Sequence, residues 1–170
     1  ANLNPYMSTD ATSNAILENI HRSLFMVSPI SSKVIPFLVE KFEIEREGKL
    51  YIFYLRKNVK FHNGEVLTSH DVRDSLMRTL KGNYRNYFDM IKGAKDFIEG
   101  AKNFVEGIRV LDDYRIEIEL EYPFVPFIYN LGLTGAAITK EKNGNLIGLG
   151  PFVLKDYKKD EYVELEAFED

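Results

Sequence analysis

The chain has 170 residues, 45% of them hydrophobic and 13% aromatic, so it can bury a core and is not expected to be disordered. Its 26 acidic and 22 basic residues are well mixed, which argues against a basic stripe for nucleic acid, and the lack of cysteine excludes disulfides and thiol chemistry. No stretch approaches the roughly 20 apolar residues of a membrane span, and the first residues lack the pattern of a signal peptide. The cellular compartment stays open.

The opening segment predicts a turn followed by a helix. Residues 3–13 are turn-like, and Ser13 and Asn14 offer a cap for the helix. We expect this helix to continue to about Phe25, because apolar residues recur on one side of it: Ile16, Leu17, Ile20 and Leu24.

Residues 39–56 predict a β-hairpin. A first strand at 39–44 turns through residues 46–48 into a second strand at 50–56. The second strand contains an uninterrupted apolar run, which is typical of a strand covered on both faces.

A tight turn and a capped helix follow. Asn63 and Gly64 supply the turn, since both adopt positive φ angles at low cost. Thr68 is a natural N-cap, with Asp71 three residues further on in a capping-box arrangement. The helix that begins here has one apolar stripe: Val72, Leu76 and Leu80.

Residues 88–105 carry apolar side chains at helical spacing, with a glycine every seven residues at Gly93, Gly100 and Gly107. Two imperfect heptads are too few for a coiled coil, and each interior glycine costs about 1 kcal/mol relative to alanine. We therefore expect one or two helices packed against a sheet.

The last third predicts strand pairs around a short helix. Residues 108–111 and 115–121 form a hairpin through Asp112-Asp113, and the second strand alternates apolar and charged residues as a half-exposed strand does. Residues 124–133 predict a short helix, and residues 152–168 predict a second two-strand unit.

The segment YLRKNVKFHNGEVLTSHDV, residues 54–72, closely resembles the signature of family 5 solute-binding proteins, the peptide, dipeptide and nickel receptors of bacterial ABC importers. The resemblance covers essentially the whole chain, because four further segments follow the family's order: Leu3-Asn4-Pro5, Pro36 to Phe42, GIRVLDDYRIEIEL and GLGPFVLKDY.

The resemblance implies an α/β fold, with a class II periplasmic-binding-protein-like lobe and an inserted α+β subdomain. Residues 1–34 and 140–170 would belong to the first lobe and residues 35–139 to the inserted subdomain, so the two ends of the chain should lie near each other. Family members are much longer, which implies a C-terminal lobe that this sequence lacks.

The resemblance also implies ligand contacts. Thr9, Asp10 and Ala11 match the position from which peptide receptors contact their ligand. Asp10 would suit an ammonium group, although it would equally suit a helix cap. Tyr84 matches a cleft-facing tyrosine, with ordinary packing as the alternative.

Gly148 and Gly150 lie in a segment that resembles the family's Gly-Thr-Gly-Pro turn near the cleft, where glycine allows close backbone approach to a neighbour or ligand. A purely structural turn is the alternative, and Leu149 stands where the threonine is usual. Arg22-Ser23 replaces a Glu-Gly pair of relatives near the cleft. Arginines that clamp ligand carboxylates in some relatives belong mainly to the absent lobe.

Residues with catalytic or metal-binding chemistry form no recognised motif. His21, His62 and His70 lack metal-ligand spacing, and His62 more plausibly forms a hydrogen bond in its turn. Adjacent Asp112 and Asp113 would diverge in a turn. We expect no enzyme, cofactor or metal, and a solvated face rather than a cation site at three acidic side chains of one strand: Glu117, Glu119 and Glu121.

These observations predict a non-catalytic solute-binding module of an ABC importer, for a peptide or similar small solute. It would form one wall of a two-lobe cleft, bind weakly without the second lobe, and work with an ABC permease in the periplasm or outside the cell. A signal would then precede Ala1, with or without a lipid anchor. The main alternative is the ligand-sensing domain of an intracellular transcriptional regulator, and a third is a small hydrolase.

Overall fold

The structure is a computed structural model, and it describes residues 3–169. Its helices are α1 (Ala11–Ile20), α2 (Ser69–Lys81), α3 (Ala94–Ile98) and α4 (Phe127–Asn130). Its strands are β1 (Phe25–Val27), β2 (Val34–Pro36), β3 (Val39–Glu45), β4 (Leu50–Leu55), β5 (Ile108–Asp112), β6 (Arg115–Glu119), β7 (Lys140–Lys142), β8 (Asn145–Ile147), β9 (Phe152–Lys158) and β10 (Tyr162–Ala167). The mixture of helix and strand confirms the predicted class.

A four-stranded antiparallel sheet with the order β3-β4-β6-β5 forms the centre of the fold. Strand β4 pairs with β3 across the turn at residues 46–48, which confirms the predicted hairpin. Phe53 of β4 lies opposite Ile116 of β6, and both are fully buried. Helix α2 contributes three buried residues to the same core, as predicted: Val72, Leu76 and Leu80.

The turn and the cap before α2 are formed as the sequence indicated. Gly64 has a φ of 86°, and the side chain of Asn63 accepts a hydrogen bond from the Glu65 N–H at 3.1 Å. The Thr68 N–H donates to Asp71 Oδ2 at 2.9 Å, which completes the capping box. This local chemistry fixes the start of the helix that supports the core.

Helix α1 differs from its prediction at both ends. Asp10, not Ser13, is the N-cap, because Asp10 Oδ1 accepts a hydrogen bond from the Ser13 N–H at 2.8 Å. The helix ends at Ile20 rather than near Phe25, since the backbone of His21 is extended. Phe25 instead begins the β1-β2 hairpin, which was not predicted.

The helical prediction over residues 88–105 is confirmed for five residues only, those of α3. Gly93 and Gly100 flank α3 with φ angles of 80° and 81°, which favour glycine at both ends of a short helix. At Gly107 an added Cβ would lie 2.6 Å from the Glu119 carbonyl oxygen, so close backbone contact requires glycine there. The seven-residue repeat therefore marks turns and a tight contact.

The remaining predicted pairs are present. Strands β5 and β6 form the predicted hairpin, but Asp112 pairs with Arg115, so the turn lies at residues 113–114 rather than at Asp112-Asp113. Strands β9 and β10 form the second two-strand unit. Helix α4 lies within the predicted segment 124–133. None of the helices in residues 3–169 is long and apolar enough to cross a membrane.

Two of the three acidic side chains expected to be solvated, Glu117 and Glu119 of β6, are largely covered, whereas Glu121, just beyond the strand, is exposed as expected. Arg109 lies across this acidic face of β6, with Nε 2.6 Å from Glu117 Oε1 and Nη2 2.9 Å from Glu119 Oε1. The side chains of Glu117 and Glu119 are only 19% and 17% exposed. Salt bridges from the neighbouring strand β5 neutralise this face, which sequence alternation could not reveal.

Candidate ligand-binding site

The first group of predicted site residues lies at the exposed start of α1. Thr9, Asp10 and Ala11 are all exposed. Hydrogen bonds from the backbone and side chain of Ser13 lower the pKa of the Asp10 carboxyl below its usual value. Asp10 is therefore a helix cap and also an exposed anion at neutral pH.

Tyr84 lies beside the same end of α1. Its hydroxyl accepts a hydrogen bond from Asn14 Nδ2 at 3.3 Å, and Asn14 Oδ1 in turn accepts one from Ser8 Oγ at 2.8 Å. The ring is 8% exposed and lies on Gly135, where an added Cβ would come within 2.0 Å of the ring carbons. The ring is a packing element, while its hydroxyl stands at the start of α1.

Gly148 and Gly150 lie at the opposite end of α1. The Gly150 N–H donates to the Ile20 carbonyl oxygen at 2.7 Å, and an added Cβ at Gly148 would lie 2.2 Å from that same oxygen. A ten-residue helix is about 15 Å long. The structure thus groups Thr9, Asp10, Ala11 and Tyr84 at one end and places the two glycines at the other.

His62 supports the Gly148-Gly150 turn, and His21 is buried close to Gly148. His62 donates its backbone N–H to the Gly148 carbonyl at 3.0 Å, and its Nε2 lies 2.8 Å from the Gly150 carbonyl oxygen. His62 therefore forms hydrogen bonds in its turn, as predicted. Burial, with a smaller effect of His62, lowers the pKa of His21 to about 3, so His21 is neutral at pH 7.

A groove of about 420 Å³ opens beside the second half of α1, between this helix, β1 and residues 132–137. Its polar lining includes Glu18, His21, Arg22 and Thr134. Its apolar lining includes Phe25, Met26 and Val27. The family resemblance marked Arg22-Ser23 as a departure from the Glu-Gly pair of relatives. The groove itself depends on the β1-β2 hairpin, which the sequence did not reveal.

A buried polar cluster fastens the N-terminal segment to α2. The Tyr6 hydroxyl donates to the Ala137 carbonyl at 2.8 Å and lies 2.6 Å from Thr139 Oγ1. Ser75 Oγ of α2 accepts from the Thr139 N–H at 2.9 Å. These bonds hold the chain leading into α1 against the helix that supports the sheet, and so fix the position of the candidate site.

Replacing Tyr6 with phenylalanine is expected to lower the free energy of unfolding by about 1–3 kcal/mol. The change removes the hydroxyl and leaves the buried Ala137 carbonyl without this donor. Chemical denaturation followed by circular dichroism would measure the loss. Tyr162→Phe, which removes an exposed bond to Asp156, is the control. A Tyr6→Phe variant as stable as the control would show that the cluster does not anchor this segment.

Among residues 3–169, no group of three or more His, Asp or Glu side chains has a geometry that could hold a metal ion. The polar groups of the groove and of the α1 start instead include two carboxylates, a guanidinium, an imidazole, hydroxyls and amides. Groups of this kind bind small polar solutes by hydrogen bonds and ion pairs.

The same architecture occurs in solved substrate-binding proteins. The substrate-binding domain of an oligopeptide ABC transporter from Bacillus anthracis str. Ames superposes with a TM-score of 0.89 at 27% identity, over 98% of this chain and 35% of that one. The model of "Bacterial extracellular solute-binding proteins, family 5 Middle" matches residues 33–170. The chain belongs to this family of solute-binding proteins, which confirms the resemblance.

Two curated relatives show the range of named ligands. The dipeptide-binding protein of Escherichia coli (strain K12) is 30% identical over 98% of this chain and 35% of its own length. Heme-binding protein A of Haemophilus influenzae is 28% identical over 97% of this chain and 34% of its own length. The chain spans about a third of these relatives. These similarities give no support to the regulator alternative.

Proposed function

We propose that this chain forms one wall of the ligand cleft of a solute-binding protein that delivers peptides to an ABC importer. The observation that carries the proposal is the exposed Asp10 carboxylate at the start of α1, about one helical turn from Asn14, whose side chain holds the Tyr84 hydroxyl. A second lobe supplies the opposite wall, and closure of the two lobes buries the ligand and presents it to the permease. The role is binding without catalysis or cofactor, in the periplasm or outside the cell, with or without a lipid anchor.

The proposed organisation follows the path of the chain. Residues 1–34 and 140–170 belong to the first lobe, and residues 35–139 form the inserted subdomain. The hydrogen bond from Gly150 to Ile20 supports this division, since it joins the first segment to the returning one. In this arrangement Gly148 and Gly150 contribute to ligand binding by holding the end of α1.

The proposed ligand contacts lie at the helix start. Asp10 attracts the ammonium group of a peptide, and the backbones of Thr9 and Ala11 bond its first peptide unit. The Tyr84 hydroxyl, already held by Asn14, is a further partner. A free amino terminus on the ligand is therefore required for full affinity.

Calorimetry on the complete native protein tests this contact. Peptides with a free amino terminus should bind, and N-acetylation should weaken binding about tenfold, the effect of losing a charge-assisted hydrogen bond. In Asp10→Asn the acetylated and free peptides should bind almost equally. Asparagine is as good an N-cap as aspartate, so α1 should keep its start.

Asp74→Asn on α2 is the matched control, because it removes a carboxylate that is also exposed. It should keep the full effect of N-acetylation. The Asp10 contact would be wrong if Asp10→Asn discriminated between the two peptides as strongly as the native protein. The peptide function itself would be wrong if the native protein bound no peptide at millimolar concentration.

A further inference from the structure

The groove beside α1 contains a cation without a carboxylate partner. The Arg22 guanidinium is half-buried and donates through Nη1 to the backbone carbonyl oxygens of Glu18 and of His21, the latter at 3.0 Å. In the part of the chain that the structure describes, Arg22 forms no salt bridge, although the Glu18 charge acts on it from a distance. A partly buried charge without a paired anion is costly, which favours an anionic ligand.

The guanidinium is also held in a fixed orientation. Its Cζ lies 5.5 Å from the centre of the Phe37 ring, and two backbone carbonyls accept from the same nitrogen. Arginine has five N–H donors, so Nε and Nη2 are left to bind a carboxylate side-on. A guanidinium that is already held in one orientation loses little side-chain conformational entropy when it binds its ligand.

A polar stripe leads from the proposed ammonium site to this cation. Residues four apart lie on one face of a helix, so the N-cap Asp10 is followed on the same face by Asn14 and Glu18. Arg22 lies beyond the end of α1, but its Nη1 donates to the Glu18 carbonyl, which places the guanidinium beside the last turn. Asn14 faces Tyr84, while Glu18 and Arg22 line the groove. The stripe leads into the groove at Glu18, and Arg22 lines the same groove beside the end of α1.

The length of α1 sets the size of a ligand that spans this surface. The helix is about 15 Å long. An extended peptide advances roughly 3.4 Å per residue, so about five residues reach from Asp10 to Arg22.

The groove itself, at about 420 Å³, lies in the size range of ligand pockets and has apolar walls. His21 in its lining has a buried Nδ1 without a hydrogen-bond partner in residues 3–169.

We propose that Arg22 binds the terminal carboxylate of the peptide and that the groove takes its last side chain. This inference rests on the proposed function and names the ligand more closely. The ligand is a peptide of about five residues with a free carboxylate and an apolar last residue. Asp10 and Arg22 then bind the two ends of one extended ligand.

The test compares the pentapeptide AAAAL with its C-terminal amide, by calorimetry on the complete native protein. Amidation should weaken binding to the native protein tenfold or more, as loss of a charge-assisted hydrogen bond does. In Arg22→Gln both peptides should bind within about twofold of each other. Arg22→Lys keeps the positive charge but loses the paired N–H donors of the guanidinium, so it should retain part of the difference in affinity between the two peptides.

Arg73→Gln on α2 is the matched control and should keep the native discrimination. An amidation effect as large in Arg22→Gln as in the native protein would overturn the inference alone, provided that N-acetylation still acts through Asp10. If the native protein binds neither AAAAL nor its amide but binds other peptides, the inference alone is overturned. If it binds no peptide at millimolar concentration, the proposed function is overturned together with it. If Arg22→Gln does not fold in a thermal melt, Arg22→Lys decides, because full discrimination there would contradict a side-on carboxylate contact.

Discussion

Replacing Gly148 with alanine is expected to lower the free energy of unfolding by about 3 kcal/mol, at the upper end of overpacking costs. The added Cβ would lie 2.2 Å from the Ile20 carbonyl oxygen and 2.8 Å from His21 Nδ1. Neither atom belongs to a flexible side-chain end, so the return turn must move away from α1. Urea unfolding followed by circular dichroism measures the effect.

Gly132→Ala is the matched control for this substitution. Its added Cβ would approach no atom more closely than 3.3 Å, so we expect a loss below about 1 kcal/mol. Equal stability of the Gly148→Ala variant and the native protein would show that the turn does not pack closely against the end of α1. The proposed role of Gly148 in positioning this helix would then fail.

Acidification from pH 6.5 is expected to destabilise the protein through His21. The pKa of this side chain is about 3 in the folded state, because it is buried, and 6.5 is its ordinary value. The unfolded chain therefore binds a proton that the folded chain does not. The stability is complete above pH 6.5, falls by about 1.4 kcal/mol per unit below it, and stops falling near pH 3.

Thermal unfolding between pH 7 and pH 5 isolates this effect, since most carboxylates titrate at lower pH. His21→Phe should flatten the profile markedly, leaving the smaller contribution of His62, whose pKa is also lowered by burial. His70→Gln, at a side chain that is 52% exposed, should keep the native slope. Parallel profiles for the native protein and His21→Phe would show that His21 is not buried in its neutral form.

Features that depend on neighbouring residues were predictable from the sequence. The capping box of Thr68 and Asp71, the hairpin through residues 46–48 and the turn at Gly64 each arise from contacts within a few positions. The start of α1 could not be predicted in this way, because Asp10 and Ser13 are both good caps and the choice depends on the geometry of the whole turn. Local patterns carry no information about which of two acceptable caps is used.

Features that depend on distant residues could not be predicted from a single sequence. The contact of Gly148 with Ile20 joins residues far apart in the chain, as does the packing of Tyr84 on Gly135. The groove requires the short β1-β2 hairpin to fold beside α1, and three-residue strands give almost no periodic signal. For the candidate site, the sequence identified Asp10, Tyr84 and the unusual Arg22, while their arrangement around α1 came from the structure.

Hydrogen exchange of the complete native protein with and without the peptide AAAAL tests most directly whether α1 forms a wall of the ligand site. Protection should appear at residues 9–23 and 84–87, because the ligand would cover the start of α1, Tyr84 and the groove. Protection confined instead to the open depression on the sheet lined by Glu40, Tyr54 and Arg115 would contradict the proposed site.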